Sequence, residues 1–88
     1  MSYRVELSGQ ARKDLRRLPP VARGRLLRYI AGLAEQPRPR GIIKLAGRRP
    51  PQYRLRAGEY RVTYVVGDEV KAVHILRVLR RTTTTYDV

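Results

Sequence analysis

The apolar residues of this chain follow one spacing before residue 41 and another after it, with prolines at the breaks. That switch limits the architecture more than any other feature. Tyr3, Val5 and Leu7 alternate with Arg4, Glu6 and Ser8, the period of a half-buried strand. Ser8 then reads as a helix N-cap, and Ala11, Leu15 and Leu18 put one apolar stripe on a short helix that Pro19-Pro20 must end. Pro20 suits the first turn of the next helix. There Ala22, Leu26, Ile30 and Leu33 share a face turned away from Arg23, Arg25 and Arg28, and Pro37 and Pro39 stop it. Two antiparallel helices hinged at Pro19-Pro20 are expected.

From Gly41 onward the spacing is that of strands. Ile42-Ile43-Lys44-Leu45 and Gln52-Tyr53-Arg54-Leu55-Arg56 flank the loop Gly47-Arg48-Arg49-Pro50-Pro51, as two short strands or one interrupted strand. Ala57-Gly58-Glu59 reads as a hairpin turn into Tyr60 through Val66. Gly67-Asp68-Glu69 turns again into a β-branched strand over Val70–Leu79. Adding the N-terminal strand gives an α+β fold of order βααβββ, an antiparallel sheet with the helical hairpin on one face, spanning residues 1–88 as a single domain. Tyr60 and Tyr64 share strand parity and are expected under the helices. The tail Thr82 to Val88 has no helical period.

Charge narrows the function. Twenty Lys plus Arg, seventeen of them Arg, stand against seven Asp plus Glu, a formal +13. Such a field calls for a polyanionic partner, with nucleic acid ahead of acidic proteins and anionic membranes, because each neutralised phosphate releases counterions. The planar guanidinium also suits bidentate phosphate contacts. With no cysteine and one histidine, a disulfide or a thiolate or all-histidine metal site is excluded, and no cofactor is expected. No signal peptide or membrane span is apparent in the sequence, so a cytoplasmic location is the expectation.

The sheet half carries most of this charge: residues 38–81 hold twelve cations and three acids, against eight and three in residues 1–37. Arg54 and Arg56 are two apart and share one strand face, opposite Tyr53 and Leu55. If the helices cover Tyr53 and Leu55, both arginines lie on the open face. Arg61 begins the next strand and Arg80-Arg81 end the last, so antiparallel pairing either gathers these cations or leaves each separately solvated at an edge.

The run Tyr53-Arg54-Leu55-Arg56-Ala57-Gly58-Glu59-Tyr60-Arg61-Val62-Thr63-Tyr64 resembles the RelE/ParE toxin superfamily, together with Lys44-Leu45-Ala46-Gly47, Leu33 to Pro39, and Leu76-Arg77-Val78 before a basic pair. The resemblance covers nearly the whole chain. It implies a toxin held inactive by an acidic, RelB-like antitoxin, with operator DNA bound only through the antitoxin complex. RelE-type members cut mRNA on the ribosome, whereas ParE-type members poison DNA gyrase. Carried over by position, Arg54 and Arg56 match the paired basic residues of the RelE active-site strand. Arg61 matches its phosphate-binding arginine, Arg81 the arginine proposed to protonate the leaving group, and Tyr86 the C-terminal tyrosine that stacks on a base. Lys44, Arg48, Arg49, Arg77 and Arg80 are the further RNA contacts expected. The sequence departs from the family at Leu79, where glycine is common, and in the four threonines between Arg81 and Tyr86.

The implied reaction is attack of a ribose 2′-OH on the adjacent phosphate, without metal, leaving a cyclic phosphate and a free 5′-OH. Cations placed where charge develops on the phosphorane oxygens favour it, and Arg61 with Arg54 or Arg56 would supply them. A base is harder to find, since a guanidinium pKa above about 12 keeps its proton. His74, mid-strand in Val73-His74-Ile75-Leu76, is expected to be a sheet histidine rather than the base. The leading expectation is thus a ribosome-dependent mRNA endoribonuclease. A gyrase poison without hydrolytic activity and a non-toxic basic RNA-binding module are the alternatives.

Overall fold

The computed structural model describes residues 2–81. Among them are two helices and five strands: β1 (Arg4–Leu7), α1 (Gly9–Arg16), α2 (Pro20–Gly32), β2 (Ile43–Leu45), β3 (Gln52–Ala57), β4 (Tyr60–Gly67) and β5 (Ala72–Arg80). The strands form one sheet in the order β1-β5-β4-β3-β2. The α+β class, the helical hairpin and the meander agree with the sequence reading. The open question about residues 42–56 resolves into two strands, with Ile43 opposite Arg54 and Leu45 opposite Gln52.

The expectation of an all-antiparallel sheet needs correction. β1 joins the far edge of the meander parallel to β5, pairing Val5 with Val73 and Leu7 with Ile75. The reason is visible at Ser8. β1 covers only the first half of the β5 edge, and a parallel course carries the chain on along that edge, so α1 covers the rest. Ser8 N–H donates to the Ile75 carbonyl at 2.9 Å, and its hydroxyl donates to the Leu76 carbonyl at 2.8 Å while accepting the Ala11 N–H at 2.9 Å. Asp14 on α1, 6% exposed, accepts the Val78 N–H at 2.8 Å. The Ile75 and Leu76 carbonyls and the Val78 N–H, which β1 leaves unpaired, are thus met by the cap or a side chain of α1, as burial of a sheet edge requires.

The last strand also begins later than its β-branched composition suggests. Residues 68–71 form the β4–β5 turn, and Lys71 takes φ 55°, a left-handed conformation no strand contains. At the β3–β4 hairpin, Gly58 has φ 62° in a two-residue turn, a position where a Cβ is penalised. A bulge between Thr63 and Tyr64 leaves Leu76 without a cross-strand partner, so the β5 residues facing the helices change from Val73 and Ile75 to Val78.

The core lies between the sheet and the helices. Leu15, Leu26, Ile30 and Leu33 pack on Val62, Tyr64, Val73, Ile75 and Val78, all at most 4% exposed. Tyr64 is fully buried, its hydroxyl donating to the Pro37 carbonyl at 2.8 Å, and burial pushes its phenol up to about 12. Tyr60 packs at the core margin. At the opposite end of the sheet from the hairpin turn, Arg38 grips Asp68 through two hydrogen bonds of 3.1 and 2.8 Å and donates to the Tyr53 hydroxyl, while Tyr3 donates to Asp68. The Arg38 and Tyr3 hydrogen bonds lower the Asp68 carboxyl to about 2. This clasp fixes the linker after α2, which leads into the site.

Candidate nucleic-acid interface

The helices cover the face carrying Tyr53, Leu55, Val62 and Tyr64, so strand alternation sends Arg54, Arg56, Arg61 and Thr63 to the open face. Register brings three of the expected site residues together. Arg56 is directly opposite Arg61, and Arg54 is one step along, opposite Thr63. Directly opposed Cβ atoms sit about 5 Å apart, so two guanidinium groups share one patch. Gly41 and Ile43 complete a cleft of about 230 Å³ with these arginines. Gly41, at φ 92°, turns the linker back toward the β3 edge, a course that favours glycine.

No carboxylate lines this cleft among the described residues. Arg54 and Arg56 form no ion pair within them either. Leu79 lies opposite Arg61, 45% exposed, and Ile43 lies opposite Arg54, 48% exposed. The cationic patch therefore has an apolar flank on each side. Sequence reasoning missed Ile43; the signal available was that one of Ile42 and Ile43 has to face away from the helices.

Arg81 follows the end of β5, and its backbone N–H donates to the Glu59 carbonyl. Alternation from Leu79 puts it on the open side, diagonal to Arg61. Its neighbour Arg80 turns to Glu59, donating to Oε1 at 3.2 and 2.9 Å. Arg77 is held by Asp14 at 2.9 and 3.2 Å, away from the cleft. Lys44, Arg48 and Arg49 line a separate shallow depression of about 520 Å³ at the β2–β3 loop. Tyr86 lies outside the described residues, as does the rest of the tail. His74 is on the open face beside Glu6, with Nδ1 3.1 Å from its carboxylate, and Arg4 Nε holds the other carboxylate oxygen at 2.6 Å. The Arg4 hydrogen bond, partly opposed by desolvation, keeps the Glu6 carboxyl below its ordinary range.

Asp14 was not singled out by the sequence, although a carboxylate between Ala11 and Leu15 on an apolar stripe is a signal. Burial opposes its charge, but hydrogen bonds from Arg77, the Val78 N–H and Gln10 outweigh that and hold its carboxyl below the usual range.

Comparison with known proteins agrees with this geometry. Residues 5–84 match the family model of the ParE toxin of the type II toxin-antitoxin system parDE. Among solved structures, the archaeal RelE–RelB complex from Pyrococcus horikoshii aligns at 36% identity and TM-score 0.83, over 96% of this chain and 100% of that one. The toxin–antitoxin complex RelBE2 from Mycobacterium tuberculosis aligns at 32% identity and TM-score 0.81, over 92% and 100%. The isolated E. coli RelE toxin aligns at 27% identity and TM-score 0.81, over 94% and 88%. No curated protein sequence matches significantly. Matched along most of its length by a toxin family model and by RelE structures above 30% identity, the chain belongs to the RelE/ParE superfamily of type II toxin–antitoxin toxins, on its RelE branch.

Proposed function

We propose that this toxin is a ribosome-dependent mRNA endoribonuclease that works in the cytoplasm as one 88-residue domain, kept inactive by an acidic RelB-like antitoxin. The observation that carries the reading is the register that opposes Arg56 to Arg61 beside Arg54, at a cleft that no carboxylate lines among the described residues. Guanidinium groups gathered on one strand pair attract an anion, and a scissile phosphate has the charge and size to answer them. Arg61 with Arg54 or Arg56 would stabilise the phosphorane oxygens as the 2′-oxygen attacks, and Arg81 would donate toward the departing 5′-oxygen. The proton on the 2′-OH has no evident acceptor among these guanidinium groups, which favours a base supplied by the mRNA–ribosome assembly. The RelB complexes of the Pyrococcus and Mycobacterium relatives support an antitoxin partner, and a net charge of +13 supports an acidic one.

The test is a translation extract programmed with a defined mRNA, with 5′ ends mapped with and without ribosomes. New 5′-hydroxyl ends only in the presence of ribosomes are expected. The matching family model carries the name of ParE and favours a second reading, inhibition of gyrase without cleavage. DNA breaks on induction, with transcripts intact, would establish that reading and end the first.

A further inference from the structure

The cleft does not end at the sheet. β2 stops pairing at Ile43, opposite Arg54, so from Leu55 onward β3 has no strand partner on that edge among the described residues, and Arg56 stands on it. Arg56 lines both the open-face cleft and a second groove of about 400 Å³ between α2 and β3, walled by Arg28, Tyr29, Gln36, Arg40 and Leu55. Arg28 and Tyr29 in turn line a third depression of about 390 Å³ with Arg25, one helical turn back along α2. Three shallow cavities thus run in series around the sheet edge, each sharing a residue with the next.

Their chemistry is uniform. No carboxylate lines any of them among the described residues. The guanidinium groups of Arg25, Arg28, Arg40 and Arg56 form no ion pair there. Tyr29, 47% exposed on an otherwise arginine-rich flank, contributes little to the core. An aromatic ring set among cations along a groove is the pattern that binds single-stranded nucleic acid, the ring stacking a base and the cations following the phosphates. We infer that one RNA strand runs from the arginine cleft around the β3 edge into the α2 groove, where Tyr29 stacks a base and Arg28 and Arg40 hold flanking phosphates. This rests on the proposed RNA substrate and extends it from a point of cleavage to a track several nucleotides long.

The test uses the whole protein and 2′-O-methyl oligoadenylates, which cannot undergo 2′-OH attack, with binding read by fluorescence anisotropy. Strands of about 3 and about 8 nucleotides separate the cleft alone from cleft plus groove. Tyr29→Ala should weaken the longer strand about 10-fold and Tyr29→Phe should restore it, as expected for a stacking contact. The shorter strand should be unaffected by either. Arg28→Gln and Arg40→Gln should each flatten the log–log salt dependence of the longer strand by about 0.7, one phosphate contact apiece. Equal affinity of Tyr29→Ala and the parent for the longer strand would overturn the track while leaving the nuclease reading to the cleavage assay. Failure of both strands to bind would also overturn it. Polyglutamate binding more tightly than RNA in a Tyr29-dependent way would assign the groove to an acidic protein instead.

Discussion

Asp14→Ala tests the junction that positions the end of β5. In the parent protein the carboxylate, 6% exposed as a residue, accepts the Val78 N–H and two Arg77 donors. Alanine leaves the Val78 N–H without an acceptor at a residue only 2% exposed, and an unsatisfied buried donor costs about 1–3 kcal/mol. Arg77, half in solvent, regains water and adds little. Better helix propensity returns about 0.5 kcal/mol, leaving a net loss of about 1.5 kcal/mol. In a domain this small that lowers Tm by about 6–12 °C, measurable by calorimetry and by urea unfolding. The sign of the pH dependence follows from a depressed carboxyl. Its contribution is complete above the unfolded value of about 3.9 and is lost as pH falls through the lower folded value. The gap between parent and variant should therefore be full at neutral pH and narrow below about pH 4. A loss under about 0.5 kcal/mol at neutral pH would show that the N–H finds another acceptor. A gap of constant size down to low pH would show that the charge has no part in it.

Arg61→Ala and Arg81→Ala should each leave circular dichroism unchanged and slow single-turnover cleavage on the ribosome by about 100-fold, as removal of a transition-state donor does; a folded double variant with full activity would refute the site. Ser8→Ala removes both the α1 cap and the contact to Leu76, and urea unfolding should show a loss of about 1–2 kcal/mol. Tyr64, raised to about 12 by burial, stabilises the fold in its neutral form fully below about pH 10 and loses that contribution as pH rises through its folded value. Phenolate absorbance should accordingly show one tyrosine ionising late, a component absent from Tyr64→Phe, and its ionisation together with exposed tyrosines would contradict the packing.

The helices and the meander were legible because their information is local. Ser8 caps, Pro20 opens a helix, and the 26-30-33 stripe and the parity of Tyr53 and Leu55 reappear as core. Parity also sets Arg54 and Arg56 on the face opposite Tyr53 and Leu55, which is the open face because the helices cover those two residues. What escaped depends on contacts between distant segments. The parallel course of β1 is set by where α1 must lie to satisfy Leu76 and Val78, sixty-eight and sixty-four residues from the groups that serve them. No window of sequence carries that constraint. The bulge at Leu76 is similar: His74 and Arg77 sit on opposite parities of the run Val73 to Leu79, which signals that the outward face changes between them, but whether Ile75 or Leu76 is the residue left over depends on pairing with β4. Whether the arginines gather was undecidable from spacing, because it depends on which residue of β4 opposes Arg56.

The distribution of acids bears on why that gathering persists. The chain has only seven, and four of them have their partners at the margins of the sheet and at α1: Glu6 with Arg4 and His74, Asp14 with Arg77, Glu59 with Arg80, and Asp68 with Arg38. Asp14 ties α1 to β5, Asp68 ties the linker after α2 to the β4–β5 turn, and Glu59 neutralises an arginine beside the site. None lines the patch where Arg54, Arg56 and Arg61 meet. Directly opposed like charges such as Arg56 and Arg61 destabilise a strand pair, whereas cross-strand pairs of opposite charge stabilise it by similar amounts. The strand has room for a carboxylate at Thr63, which faces Arg54 on the same open side and carries no charge. The register that opposes Arg56 to Arg61 therefore carries a cost in stability at the place where the proposed RNA phosphate would sit.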